Sequence, residues 1–239
     1  MSFNISNYSI NKNSPAFIIA EAGVNHNGDL DLAIKLVKKA KECGADCVKF
    51  QTFEAERVVT KDAMKAEYQL KTTKKTESQF DMLKKLELPK EAYQEIIKCC
   101  KDNDIIFMST PYSVEDVDSL YNLGVPAFKL ASISLVEPEL IKHVAKKGLP
   151  VILSTGMCTM DEIEMAVRII KSTGNNDFAF LQCTTNYPST LDDANLKAMQ
   201  TMREKFKIVV GYSDHTVNDT ACIVSIALGA KIIEKHFTL

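Results

Sequence analysis

Short apolar runs recur along the chain, and most are followed by a stretch in which apolar positions recur at helical spacing. Such runs are typical of strands buried on both faces, and the helical spacing is typical of amphipathic helices. The runs begin near residues 16, 46, 105, 127, 150, 178, 208 and 231. Eight strands that alternate with helices predict an α/β fold, and favour a (β/α)8 TIM barrel over an open doubly wound sheet. No GxGxxG motif follows any run, so we do not expect a dinucleotide site.

The two ends of the sequence depart from this rhythm. Residues 3–10 alternate weakly and residues 11–15 have turn composition, which predicts a small N-terminal β-hairpin. At the other end the sequence stops three residues after His236. We therefore expect the eighth barrel helix to be missing. Either a partner or a swapped segment covers the eighth strand, or the sequence is a fragment of a longer protein. We predict one domain over residues 1–239, since no low-complexity linker divides it.

The gap between the second and third runs is longer than an ordinary barrel loop. It holds a polar segment, residues 54–78, that is rich in Lys and Thr. Long loops of this kind are usually lids or binding loops, so we expect a lid here. A simple surface excursion is the alternative.

Composition narrows the class of protein. Hydrophobic residues make up 46% of the chain, charged residues 25%, and the formal net charge is −2, as in a soluble globular protein. This charge gives no electrostatic reason to expect nucleic acid or a membrane surface. No apolar run approaches the roughly 18 residues of a membrane span, and the polar N-terminus lacks a signal-peptide core. The seven cysteines include no CxxC pair, so we expect buried thiols in a reducing cytoplasm.

Two histidines follow the last two apolar runs. His215 comes after residues 208–210 and His236 after residues 231–233, with Asp214 and Glu234 close in sequence. If these runs are adjacent parallel strands, both imidazoles emerge at the same edge of the sheet. Convergent histidines are ligands for a divalent metal, so this pair predicts a catalytic metal site. Two unrelated loop histidines are the alternative.

Polar side chains follow every predicted strand. In a (β/α)8 barrel the active site lies at the C-terminal ends of the strands. The residues at those ends include Glu21, Lys49, Gln51, Ser109, Thr110, Lys129, Ser132, Ser154, Thr155, Thr184, Thr185, Asn186, Tyr187 and Ser213. Two lysines among hydroxyls and helix N-termini predict a site for phosphate or carboxylate. A lysine that serves only as a salt-bridge partner is the alternative.

The motifs at the strand ends resemble those of a known family. They read IIAEAGVNHNGD, ADCVKFQTF, STPYS, FKLAS, ILSTGM, NYPS, GYSDHT and GAKIIEKHFTL, in order from residue 16 to 239. The chain thus resembles the catalytic barrel of the sialic acid synthase family, which makes N-acetylneuraminate, legionaminate and pseudaminate. The resemblance implies condensation of phosphoenolpyruvate with an N-acyl hexosamine such as N-acetylmannosamine. It also implies a homodimer in the full-length form and an active-site Mn²⁺ or Mg²⁺ on His215 and His236.

The resemblance also assigns roles to individual residues. The residues expected to hold the phosphate and carboxylate of phosphoenolpyruvate are Lys49, Thr110, Lys129, Ser132, Ser154 and Ser213. The implied metal polarises the aldehyde oxygen, and Glu21 orients a water or acts as a base. Gln51 and Tyr187 line the sugar side. Thr185 stands where many members have Asn, and its hydroxyl can bind phosphate in place of that amide. A shifted substitution by the neighbouring Asn186 is the alternative.

The sequence departs from the family at a second position. Many members have Ser-Gly-Glu after the fourth-strand lysine, whereas this chain has Ser132-Ile133-Ser134. An altered, deoxy or di-N-acyl hexosamine is therefore as well supported as N-acetylmannosamine. The resemblance also implies a C-terminal antifreeze-like domain, contributed by the other subunit, that completes the sugar site, and we expect that domain to be absent from this sequence.

Three other functions stay open from the residues alone. One is another phosphoenolpyruvate-dependent synthase of keto-deoxy sugar acids. Another is a Schiff-base aldolase that uses Lys49 or Lys129. The third is a truncated, non-catalytic binding barrel.

Overall fold

The structure is a computed structural model that describes residues 2–66, 69–70 and 77–239. Part of the predicted lid, including the lysines of residues 71–75, lies outside the described residues. The strands are β1 Ser2–Ile5, β2 Tyr8–Asn11, β3 Phe17–Gly23, β4 Cys47–Thr52, β5 Ile106–Pro111, β6 Phe128–Leu130, β7 Val151–Ser154, β8 Phe178–Cys183, β9 Val209–Asp214 and β10 Ile232–His236. The helices are α1 Leu30–Glu42, α2 Ala55–Val58, α3 Gln79–Lys84, α4 Ala92–Asp102, α5 Val114–Asn122, α6 Pro138–Lys146, α7 Met160–Ser172, α8 Ala198–Phe206 and α9 Thr220–Ala227, with 3₁₀ turns at Ser132–Val136 and Asp192–Ala194.

Strands β3 to β10 form one parallel sheet that nearly closes into a barrel. The strand order is β5-β4-β3-β10-β9-β8-β7-β6, and the two edge strands β5 and β6 contact each other. Because all eight strands run the same way, their C-terminal ends meet at one rim. The predicted (β/α)8 barrel is confirmed.

Alternation along the strands divides the apolar residues into two layers. Side chains on one face fill the barrel interior, and those on the other face pack against the helices. The interior set comprises Phe17, Ile19, Cys47, Met108, Ala127, Ile152, Ala179, Leu181, Val209 and Ile232. Both faces of the strands are therefore apolar near the N-terminal end, which explains the unbroken apolar runs.

The predicted N-terminal hairpin is confirmed and closes the barrel floor. Strands β1 and β2 pair antiparallel, and the turn between them places Ser6 at a φ of 53°. The apolar side chains of Phe3, Ile5 and Ile10 are buried among the barrel interior residues. The turn predicted at residues 11–15 follows β2 and leads the chain into β3.

Local signals set most helix boundaries. Asp29 caps α1 by accepting the amide N–H of Leu32, and Gly44 ends that turn with a φ of 81°. Helix α8 does not begin directly after the loop that follows β8. A 3₁₀ turn comes first, Asn195 then adopts a left-handed φ of 44°, and α8 begins only at Ala198.

The cysteines are all free, but they are not all buried. Cys43 is exposed, and Cys99 and Cys158 are half-buried, which corrects the prediction of uniformly buried thiols. Among the described residues, no helix combines the length and apolarity that a membrane span requires.

Candidate active site

Four charged side chains meet at the C-terminal rim of the barrel. Lys49 Nζ lies 2.6 Å from a Glu21 carboxylate oxygen and 3.8 Å from Glu234. Lys129 Nζ lies 3.4 Å from the other oxygen of Glu234. All four residues are buried, each with 5% or less of its surface exposed. Two buried cations and two buried anions therefore form one cluster, which we call the charge cluster.

Hydroxyl groups complete the surroundings of the lysines. Lys49 donates to Thr110 Oγ1 at 3.0 Å, and Lys129 donates to Ser154 Oγ at 2.8 Å. Ser213 donates to Glu234 at 3.0 Å. The sequence predicted these hydroxyls at the strand ends, and the structure brings them to the charge cluster.

Ser132 and Thr185 meet around a glycine. The Gly156 N–H donates to Ser132 Oγ at 2.9 Å. A Cβ on Gly156 would lie 2.3 Å from Thr185 Oγ1 and 2.9 Å from Ser132 Oγ. Only glycine allows the two hydroxyls to approach the backbone this closely.

Other strand-end residues do not reach the charge cluster. The Ser109 hydroxyl hydrogen bonds Thr52 at 2.7 Å, on the helix side of the sheet. The Thr155 hydroxyl donates to the carbonyl of Leu181 at 3.1 Å and supports the strand ladder.

The two residues predicted on the sugar side are not adjacent. Gln51 donates to Glu21 at 3.4 Å. The ring of Tyr187 packs against the His215 ring with a centroid separation of 4.0 Å. The ring of Tyr187 also lies 5.8 Å from the His236 ring, and Gln51 and His236 both approach Gly23, so the two side chains lie on either side of His236.

Burial and the lysines set the protonation of the two glutamates. Burial acts to raise the pKa of Glu234, but Lys129 and Lys49 outweigh it and lower that pKa. Burial raises the pKa of Glu21, and Lys49 opposes this only in part. Glu21 is therefore the carboxylate that takes up a proton more readily.

The pKa values of the two lysines also shift in opposite directions. Burial disfavours the charged form of Lys49, but Glu21 and Glu234 outweigh it and raise its pKa. Burial lowers the pKa of Lys129, and Glu234 compensates only partly. Lys129 is therefore the less firmly protonated cation.

The predicted histidine pair lies beside the charge cluster. The ring centroids of His215 and His236 are 5.4 Å apart. The Nδ1 of His215 donates to the carbonyl oxygen of Thr184 at 2.6 Å, so Nε2 keeps its lone pair. Burial lowers the pKa of His215 to about 4. Loss of solvation, followed by the charge of Lys49, lowers the pKa of His236 to about 4.

The donor set of this pair fits a divalent cation. Neutral imidazoles are metal ligands, and a second hydrogen bond such as the one to Thr184 orients the ring. Two imidazoles bound to one ion at about 2.1 Å per bond have ring centres roughly 5 to 6 Å apart, which matches the observed spacing. Within the described residues, no cluster of three or more His, Cys, Asp or Glu side chains surrounds a metal position. The remaining ligands would have to be water or substrate oxygens.

Glu234 is the site residue whose position sequence reasoning did not foresee. It was noted at a strand end and beside the predicted metal site, but it was given no part in the lysine-hydroxyl site. In the structure β10 continues to His236, and Glu234 lies opposite Ser213 in the ladder. The spacing of two residues between Glu234 and His236 places both on the interior face, and that spacing was readable in the sequence.

The fold and the site together define a class: a (β/α)8 barrel with a buried lysine-hydroxyl pocket and a histidine pair at its mouth. The model of the NeuB family matches residues 36–239. The chain belongs to the NeuB family, which confirms the family predicted from the motifs.

Named relatives agree with this assignment. The chain is 48% identical over 224 residues to the N,N'-diacetyllegionaminic acid synthase of Campylobacter jejuni, covering 93% of this chain and 67% of the relative. It is 45% identical over 227 residues to the synthase of the same name from Legionella pneumophila, covering 93% of this chain and 64% of the relative. The chain thus spans about two thirds of the length of the curated relatives it matches.

A solved structure shows the same barrel. The N-acetylneuraminic acid synthetase of Leptospira borgpetersenii, crystallised in complex with citrate, superposes with a TM-score of 0.88 at 34% identity. The match covers 100% of this chain and 78% of that one.

Proposed function

We propose that the chain is the catalytic barrel of a nonulosonic acid synthase. It condenses phosphoenolpyruvate with an N-acyl hexosamine to give a nine-carbon 2-keto sugar acid and phosphate. The observation that carries the proposal is the charge cluster, whose buried lysines and adjoining hydroxyls lie beside the histidine pair. The relatives named as legionaminic acid synthases support the same class of product.

The charge balance of the site supports a strongly anionic substrate. With all four groups ionised, the charge cluster of two lysines and two glutamates is formally neutral. A phosphate and a carboxylate bring up to about three negative charges. A proton on Glu21, whose pKa is raised by burial, and a divalent cation would offset most of them.

The histidine pair is the proposed place for that cation. His215 and His236 would hold Mn²⁺ or Mg²⁺, which as a Lewis acid would polarise the aldehyde oxygen of the sugar. Thr184 fixes the orientation of the His215 ring through Nδ1. Tyr187 covers one side of that ring and limits its exposure to water.

The chain's own polar groups bind and orient phosphoenolpyruvate. Lys49 with Thr110 and Lys129 with Ser154 form two cation-hydroxyl pairs that can each face an anionic group. Ser213, Ser132 and Thr185 add further hydroxyl groups to the same rim. Because these groups are already held in place, little reorganisation is needed when the substrate binds.

Glu21 is suited to move a proton during the reaction. A bond forms between the enol carbon of phosphoenolpyruvate and the aldehyde carbon, and the aldehyde oxygen takes the proton that Glu21 carries, which leaves Glu21 ionised. Water then adds to the carbon that bears the phosphate, and the carbon–oxygen bond to phosphate breaks as the new hydroxyl group loses its proton to the departing phosphate. A buried glutamate with a raised pKa is an effective base near neutral pH, so Glu21 would accept the proton that water loses.

Phosphate release tests the proposal. We expect the chain to release phosphate from phosphoenolpyruvate only when Mn²⁺ or Mg²⁺ and an N-acyl hexosamine are both present. The panel contains N-acetylmannosamine and a 2,4-diacetamido-trideoxy hexose, because Ser134 replaces the glutamate that many members use for the sugar. Chelation with EDTA should abolish release, and His215→Ala or His236→Ala should reduce it by at least about 100-fold.

Two results would redirect the proposal. Release with phosphorylated sugar aldehydes alone would indicate a different keto-deoxy sugar acid synthase. The pKa of Lys129 is lowered by burial, as in Schiff-base lysines, so borohydride trapping with pyruvate is the second test. A covalent adduct, together with full activity in both histidine variants, would replace the metal mechanism with a Schiff-base aldolase.

A further inference from the structure

Asp214 and Lys235 form an ion pair, and each immediately precedes one histidine of the pair. Asp214 lies in β9 before His215, and Lys235 lies in β10 before His236. The two are register partners in the parallel ladder, and Lys235 Nζ lies 2.5 Å from Asp214 Oδ2. The ion pair therefore joins the two strands at the level where the histidines emerge.

The ion pair lies on the outer side of the barrel. Ser213 and Glu234 hydrogen bond each other on the interior side. Successive side chains on a strand point to opposite faces, so Asp214 and Lys235 point towards the helices. The thiol of Cys222 in α9 donates to Asp214 Oδ2 at 3.1 Å, which agrees with this placement. Asp214 and Lys235 line a small outer cavity together with the two histidines, but neither belongs to the charge cluster, and we assign neither a catalytic role.

Hydrogen bonds extend the pair across the backbone that carries His215. Asp214 accepts the Thr216 N–H at 2.9 Å and the Thr216 hydroxyl at 3.1 Å. Lys235 Nζ also donates to the Thr216 carbonyl at 2.7 Å. The residues on both sides of His215 are thus fixed to the residue that precedes His236.

We propose that the Asp214–Lys235 ion pair is a positioning pair that sets the separation of His215 and His236 and thereby the affinity for a divalent cation. This inference rests on the proposed metal site. The β9–β10 ladder ends at this ion pair; beyond it His236 pairs with Glu21 of β3 and the His215 carbonyl accepts the Ser189 N–H, so the two histidines can shift relative to each other. The ion pair restrains that shift from outside the barrel, so it acts on the ligands without contacting the ion.

The test measures Mn²⁺ binding to the 239-residue chain by calorimetry at one fixed pH. Lys235→Met removes the cation and keeps the aliphatic stem. We expect this variant to bind Mn²⁺ about 10-fold more weakly than the unmodified chain, the usual effect of removing a group that orients a ligand. Lys235→Arg preserves the charge, and it should restore most of the affinity.

A matched control separates positioning from stability. Lys147 bridges Asp118 at 2.7 Å with 22% of its side chain exposed, comparable to 30% for Lys235, and this pair joins α5 to the end of α6 at the surface, away from the site. Lys147→Met should leave Mn²⁺ affinity unchanged. Unfolding of each variant in EDTA reports the loss of stability independently of metal.

Three other results would overturn the positioning role. Mn²⁺ affinity in Lys235→Met equal to that of the unmodified chain would overturn the positioning role and leave the metal site standing. An equal loss in Lys147→Met would also overturn it, because the effect would then be general destabilisation. No Mn²⁺ binding by the unmodified chain, or undiminished binding by His215→Ala, would overturn the metal site and the positioning role together.

Discussion

At the scale of single residues, the site is decided by how buried charges compensate one another. Glu234 lies between Lys129 and Lys49 and accepts a hydrogen bond from Ser213. Glu21 has Lys49 as its close partner and retains a raised pKa. The pKa values of the two carboxylates therefore shift in opposite directions: that of Glu234 is lowered beside both lysines, and that of Glu21 is raised, as the proposed proton transfer requires.

Replacing Glu234 with Gln should destabilise the free protein and strengthen its response to anions. The change leaves two buried lysines with one carboxylate, and breaking a buried ion pair costs about 3–5 kcal/mol. Added inorganic phosphate would supply the missing negative charge, so its stabilising effect should exceed that on the unmodified chain. Urea denaturation with and without phosphate measures both effects. Asp118→Asn, which breaks a surface ion pair, should cost less than about 1 kcal/mol and leave the phosphate response unchanged.

Replacing Glu21 with Gln should alter how stability depends on pH. A carboxyl group with a raised pKa in the folded state contributes stability below its ordinary value of 4.5, and that contribution is lost as the pH rises through the raised value. The unmodified chain should therefore lose stability relative to Glu21→Gln from about pH 4.5 towards neutrality. Loss of the Lys49 partner shifts the variant's curve by a constant and does not change this slope. If the unmodified chain instead gained stability relative to Glu21→Gln as the pH rises, the raised pKa of Glu21 would be contradicted.

At the scale of elements, the ends of β9 and β10 show what the sequence predicted and what it could not. The apolar runs predicted where the two strands lie and that both histidines emerge at the same edge of the sheet, and the structure confirms both positions. The strand lengths were wrong, because Ser213 and Glu234 are polar yet face the barrel interior. Their burial depends on Lys49 and Lys129, which come from distant parts of the chain. A contact of this kind is set by the closed barrel and cannot be read from local periodicity.

Gly211 is the residue that allows β9 and β10 to approach closely. A Cβ at this position would lie 2.2 Å from the carbonyl oxygen of Ile232 and 2.7 Å from Leu181. Gly211→Ala should therefore separate the two strands and cost about 1–3 kcal/mol, with weaker Mn²⁺ binding because both histidines follow these strands. Gly174→Ala measures the cost of a left-handed φ of 85° without a clash, because no atom lies within 4 Å of the added Cβ. A Gly211→Ala variant as stable as the unmodified chain would show that the strands adjust without strain.

At the scale of the whole molecule, the apolar core and the candidate site lie at opposite ends of the barrel axis. The N-terminal half of the interior is apolar and is closed by the hairpin of β1 and β2, whereas the C-terminal rim holds the charge cluster and the histidine pair. The alternation that produces this division was visible as apolar runs followed by polar clusters. The burial of Phe3, Ile5 and Ile10 inside the barrel was not predictable, because a weakly alternating hairpin gives no sign of which surface it covers.

Removal of one apolar side chain from the barrel floor should therefore lower stability without changing the site. Ile5 has no exposed surface and packs among the interior residues, so Ile5→Ala should reduce the free energy of unfolding by about 2–5 kcal/mol. Affinity for phosphoenolpyruvate, measured by calorimetry below the unfolding transition, should stay unchanged because the hairpin lies at the opposite end of the barrel from the lysines. Asn4 is the matched control, since it precedes Ile5 on the same strand and is exposed. Its replacement with Ala should alter neither quantity. A parallel loss of affinity in Ile5→Ala would mean that the floor and the rim are energetically coupled through the interior side chains, and the two ends of the barrel could not then be treated as independent.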